Sequence, residues 1–268
     1  MSALSQLIPV VRRARGYHLY SVSGRRYLDL WQNGGTSLLG HRPGRLTTAL
    51  KNTISKGLVA DLPTVFTGRL QRMLRVMFPD YVDFRFVSCP SEGLQLASAY
   101  LGRSIAEEDV IDPLIDQPKE CEVSRWRPFV QDQPRAQVLL PIFPFGMAAG
   151  PVVICFRREP PADVPPQWPL SGVLLAGMLR CLHELKHRTS PEWFRPDLLS
   201  LCPGWKQKGI YVFPQFDTGI YPRVFERFLE QDVLLSPFPP FVSILPGAEI
   251  SQGELRKMVG LFRTFPGK

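Results

Sequence analysis

From Gly209 onward the apolar periodicity switches repeatedly between strand and helix, and this leaves few folds open. Residues 209–213 form an apolar run of strand length. Tyr221, Val224, Phe225, Phe228 and Leu229 follow i, i+3, i+4, i+7, i+8 spacing, which puts all five on one helix face. Residues 233–235 and 241–245 then read as strands. Ser251 with Glu254 forms a capping box ahead of Leu255, Met258, Val259 and Phe262. Such alternation buries its faces when helices are layered on a sheet, so the fold class is α/β.

The same pattern extends upstream. Residues 138–142 and 152–156 suit buried strands, and 84–88 reads as another. Ser91 suits the cap of a helix with Leu94, Ala97, Leu101 and Ile105 facing inward. Val173, Leu174, Gly177, Met178, Cys181, Leu182 and Leu185 make a wide helical face. Near the start, 18–22 and 26–31 flank the turn Ser23-Gly24, a hairpin signal. A Gly-rich loop over 32–45 leads into Leu46, Leu50 and Ile54, a helix stripe that ends at Gly57. A further helix covers 70–77. Residues 106–135 read as an irregular connection, with Asp109, Asp112 and Asp116 as solvated loop charges, and 159–169 as a Pro-rich linker.

Composition excludes several classes. A chain of 268 residues with 44% hydrophobic content can bury one large core or two small ones. No apolar run is long enough to cross a bilayer as a helix. The basic cluster of the N-terminus follows a very short apolar run, the reverse of a secretory leader, so a cytoplasmic location is expected. Cysteines 89, 121, 155, 181 and 202 show no CxxC spacing and read as reduced thiols. His183 and His187 carry the letters of HExxH, but with no third ligand apparent they read as a helix end at the solvent edge, and no metal is expected. The net charge of +8 comes from 24 Arg against 8 Lys, spread with no run longer than two, which argues against nucleic acid.

Gly16, Leu19, Tyr20, Gly24, Tyr27, Leu28, Asp29, Gly34, Gly40, His41, Pro43 and Ala49 resemble, in order and spacing, the opening segment of class-III aminotransferases. These are fold-type-I enzymes dependent on pyridoxal phosphate (PLP). Ser21 stands where that family usually has Asp. The stretch from Tyr221 to the closing helix is similar to the end of the glutamate-1-semialdehyde aminomutase branch. The resemblance implies a truncated PLP-transferase fold. Residues 1–60 and 195–268 would build the small domain, and 61–194 a reduced remnant of the large cofactor-binding domain with a reduced central sheet.

The resemblance also implies where chemistry should lie, and there the letters depart. The family lysine would fall near 142–145, which reads Ile-Phe-Pro-Phe, and no lysine occurs between Lys119 and Lys186. No other side chain forms the imine. The phosphate-cup motif S-G-[ST]-E-A is matched by Cys89, Pro90, Ser91, Glu92 and Gly93. Pro90 replaces the glycine and has no N–H to give. The aspartate that meets the pyridine nitrogen has no counterpart. The expectation is a catalytically inactive, dimeric pseudoenzyme that takes no PLP, with Cys89, Pro90, Ser91 and Glu92 as vestigial cup positions. Asn33, Gly34, Gly40 and His41 would form a dimer or cleft loop, or His41 a turn histidine. Other readings stay open: an active or partly active PLP-dependent aminotransferase or aminomutase, a ligand-binding subunit of a heteromer, or a protein with some other protein partner. Neither a membrane nor nucleic acid is expected as a partner.

Overall fold

The computed structural model describes residues 3–116, 119–145, 151–162, 164–166, 169–188, 198–199, 202–247 and 250–265. Two compact units emerge. One joins residues 1–43 to 187–268 and the other comprises 44–186. The sequence reading set its divisions at 60/61 and 194/195, and residues 189–197 lie outside the described residues.

The first unit holds two small sheets. Strands β1 (Val11–Arg15), β2 (His18–Ser21) and β3 (Arg26–Asp29) run antiparallel. The short strand β10 (Val233–Leu234) closes on β3 in parallel, and β1 is left on the open side. The expected hairpin is present, and Ser21 does a turn residue's work. Its Oγ accepts from the Arg25 N–H at 3.1 Å, a bond that the family's Asp can equally make. The second sheet orders β11 (Ser243–Ile244), β9 (Tyr211–Pro214) and β8 (Trp205–Lys208).

Helix α5 (Tyr221–Glu230) buries Tyr221, Val224, Phe225 and Phe228, four of its five stripe residues. Helix α6 (Gln252–Thr264) starts on the capping box: Ser251 Oγ accepts from the Glu254 N–H at 3.2 Å, and Glu254 accepts from the Ser251 N–H at 3.1 Å. Its Phe262 meets Trp205 edge-on at 4.8 Å and Phe228 at 5.1 Å.

The second unit is built on one mixed sheet, ordered β4 (Asp83–Val87), β7 (Val152–Phe156), β6 (Arg135–Pro141), β5 (Glu120–Trp126). β4, β7 and β6 run antiparallel in turn, while β5 lies parallel to β6. Helix α1 (Gly44–Ser55) is followed by α2 (Val65–Met77), α3 (Pro90–Leu101) and α4 (Gly172–His187). Leu96 and Ala97 of α3 join Val87, Val123, Val138, Ile154 and Phe156 in the core.

Three expectations need correction. Residues 106–135 are not irregular throughout, since they include β5. Asp112 is not solvated: it lies buried and takes the Arg127 guanidinium Nε at 2.8 and 3.1 Å. The stripe on α1 does not define its buried face, because Thr53 is buried while Ile54 is 54% exposed.

Candidate functional site

Strand β4 delivers the chain to the N-terminus of α3. Ser91 is not the cap. The capping position is Cys89, in extended conformation, and Pro90 opens the first turn. Proline's fixed φ and missing N–H suit that first position, so the helix begins earlier than a serine cap would place it. The Ser91 hydroxyl instead lies 3.1 Å from Cys89 Sγ. That contact, with the Glu92 N–H, holds the thiol below its ordinary value.

Glu92 turns back over the helix start. Its Oε2 accepts from the Ser88 N–H at 3.0 Å, and both carboxylate oxygens lie 2.9 Å from Ser88 Oγ. The carboxylate stabilises the positive end of the helix, as an anion would. Beside it lies a cleft of about 370 Å³ lined by Asp61, Phe86, Val87, Ser88, Glu92, Gln95, Leu96, Pro165, Pro166 and Leu170.

The helix start offers few groups to a phosphate. Pro90 gives no N–H, the Ser88 N–H is already taken by Glu92, and among the described residues the lining carries no Lys or Arg. Sequence reasoning did not single out Asp61, because nothing in its local spacing ties it to the cup.

At the end of β6, residues 142–145 pack into the second unit. Phe143 and Phe145 are 4% and 3% exposed. Phe143 lies 6.1 Å from the ring of Phe78 and 5.7 Å from that of Trp126, and those two meet edge-on at 5.1 Å. Phe145 presses on Gly177 of α4, where a Cβ would meet its ring at 2.5 Å. The loop 146–150 and Gly150 of its Gly-Pro end lie outside the described residues, as do Asp163, Gln167 and Trp168 of the Pro-rich linker.

In the first unit the loop after β3 is a left-handed turn. Gln32, Asn33, Gly34 and Gly35 have φ of 46°, 50°, 68° and 107°. Asn33 is exposed and its Nδ2 donates to Thr36 Oγ1 at 2.8 Å. Gly40 has φ +79°, and a Cβ there would meet the Gly16 carbonyl at 3.0 Å, so glycine is required. This closeness lets Gly16 and His41 exchange backbone bonds of 3.0 and 2.6 Å.

His41 Nε2 lies 2.8 Å from Asp29 Oδ2. Asp29 is buried, and its Oδ1 accepts the N–H groups of Trp31 and Gln32 at 3.0 and 2.9 Å. His41 is thus held by both its backbone and its ring. The sequence supplied both residues as motif letters, but their pairing across twelve positions left no local signal. His183 and His187 are exposed on α4, and no metal-binding group occurs among the described residues.

Solved structures match this architecture. Ornithine delta-aminotransferase of Plasmodium falciparum superposes with a TM-score of 0.67 at 14% identity, covering 95% of this chain and 92% of that one. An omega-transaminase of Sphaerobacter thermophilus gives 0.69 at 14% identity, covering 95% and 90%. No family model matches the chain. The fold is therefore that of the class-III, PLP-dependent aminotransferases, in shortened form. In sequence, a 98-residue stretch is 34% identical to glutamate-1-semialdehyde 2,1-aminomutase of Heliobacterium modesticaldum, covering 35% of this chain and 22% of the aminomutase. An uncharacterized protein of Treponema pallidum (strain Nichols) is 28% identical, covering 89% of each chain. The likeness to the aminomutase is thus confined to about a third of the chain.

Proposed function

We propose that this chain is a non-catalytic aminotransferase-like protein that works as a dimeric binding or structural protein in the cytoplasm. The observation that carries the reading is the packing of residues 142–145. Where the resemblance places an imine-forming lysine stand four residues without an amine, and Phe143 and Phe145 are sealed into aromatic and helix packing. Cofactor chemistry needs that amine, or binding energy from a phosphate cup, and at the start of α3 Pro90 offers no N–H where the motif of the resemblance has glycine. On this reading the unit of residues 44–186 is the remnant of a cofactor domain, and Asn33, Gly34, Gly40 and His41 form a loop of the dimer scaffold.

A partner surface has its own support. Ile54, Val59, Leu62 and Val65 are 54%, 58%, 58% and 64% exposed within one short stretch of chain, more large apolar surface than water favours. The expected result with PLP is no visible absorption band that borohydride fixes and no change in melting temperature. A fixed adduct would overturn the non-catalytic reading. Light scattering of the purified chain tests the dimer: a monomer would overturn that part and direct attention to a heteromeric partner.

A further inference from the structure

Strand β2 pairs with one side of β1, and among the described residues no backbone group of Val11 to Arg15 is bonded on the other. In an antiparallel pair every second residue turns its N–H and C=O away from the neighbouring strand. The outer side of β1 therefore holds out donors and acceptors in the pattern that an extended chain matches. The side chains along it carry one sign of charge. Arg12, Arg13 and Arg15 are exposed, and none has a carboxylate partner among the described residues. Arg25 and Arg26, by contrast, are paired with Asp232 at 2.7 Å and Glu254 at 2.8 Å.

Arg13 lies over the Tyr20 ring at 4.2 Å, which fixes its guanidinium on one face of the sheet. Arg15, two residues on, shares that face, while Ala14 between them opposes the buried Leu19. Val10 and Val11 are 71% and 39% exposed, so apolar surface adjoins the charges at the start of the strand. Main-chain bonds at such an edge select an extended partner, and alternate side chains select its residues. Guanidiniums without carboxylates reward an acidic strand. We propose that the outer side of β1 docks an extended segment of another protein that carries carboxylates at alternating positions. Those carboxylates lie opposite Arg13 and Arg15, an apolar residue of the segment meets Val10 and Val11, and the segment becomes a fifth strand of the sheet. Such docking goes beyond the non-catalytic reading and does not depend on it.

The test titrates the intact chain with a blocked hexapeptide, Thr-Glu-Thr-Glu-Val-Val, by calorimetry, and maps the contact by amide hydrogen exchange. The expected result is binding, with slowed exchange confined to residues 10–15. Replacing both glutamates by glutamine, or placing them side by side, weakens the peptide about tenfold, the size of two cross-strand charge pairs. Two further peptides are N-methylated at alternate residues, so that each keeps one clean edge: one binds like the parent and the other does not. Arg13→Glu together with Arg15→Glu loses the acidic peptide and gains one with lysine in place of glutamate, a gain that also shows the variant to be folded. Equal affinity of the two N-methylated peptides overturns the proposal, as does protection elsewhere in the chain or no binding at millimolar peptide. A heparin tetrasaccharide that protects residues 10–15 as well as the peptide does makes the surface a polyanion site, and overturns it too. A borohydride-fixed PLP adduct bears on the non-catalytic reading alone.

Discussion

The two units treat the positions of family resemblance in opposite ways. In the first, residues that carry the resemblance bond to one another: Asp29 to His41, Gly16 to His41, and Gly40 to the space that only glycine leaves. In the second, positions where the resemblance places chemistry are filled by carbon: Phe143 and Phe145 where it places a lysine, and Pro90 where its motif has glycine. Scaffold residues answer to hydrogen-bond satisfaction and packing, demands that do not depend on any reaction.

The contrast can be broken from either side. Phe143→Ala should be the costliest change, destabilising the second unit by about 3–5 kcal/mol through the cavity left against Phe78 and Trp126, read as a drop in urea midpoint. Asp29→Ala should cost the first unit about 3 kcal/mol, because the Trp31 and Gln32 N–H groups lose their acceptor. Hydrogen exchange should locate that loss in residues 26–41, and loss spread evenly over both units would sink the comparison. Gly177→Ala should cost about 1–3 kcal/mol by overpacking Phe145, again by urea unfolding.

A pH effect belongs to the first unit. Burial opposes ionisation of Glu254, but bonds from the Ser251 hydroxyl and N–H and from His18 outweigh it and hold the carboxyl down at about 2. A carboxyl depressed in the folded state stabilises fully above its ordinary 4.5, and that contribution is lost as pH falls toward about 2. Glu254→Gln should flatten the melting-temperature profile over that window, and an unchanged profile would remove Glu254 as its source. Smallest of all, Gly93→Ala should be neutral or stabilise by up to about 1 kcal/mol. A Cβ there meets Ile154 and Val152 at an ordinary 3.7 Å, and a thermal melt should show no loss.

Much of the fold was legible because burial writes periodicity into sequence. The α5 stripe and the α6 capping box are local signals, and both elements stand where the letters put them. Strands β1, β5 and β8 were missed for the same reason in each case. VRRAR, ECEVSRW and WKQK bury too few side chains on one face to show alternation, and their pairing is paid for by the backbone. Asp112 was misjudged because its partner Arg127 is fifteen residues away, beyond any local spacing rule. At the candidate site the letters Cys89 to Glu92 were visible, but Pro90 moved the helix start and with it the cap. Asp61 could not be found, since only the folded chain brings it to the same cleft as Glu92.

Among the described residues no strand pairs with the outer side of β1, and Arg12, Arg13 and Arg15 stand exposed along it. A bare strand edge invites a second chain to pair with it. Here, two copies meeting edge to edge would confront guanidinium with guanidinium, so the molecule carries its own guard against runaway ribbon growth. That guard is electrostatic and therefore conditional. Concentrated salt, which shortens the reach of like-charge repulsion to a few ångströms, should be the condition under which stored protein turns cloudy.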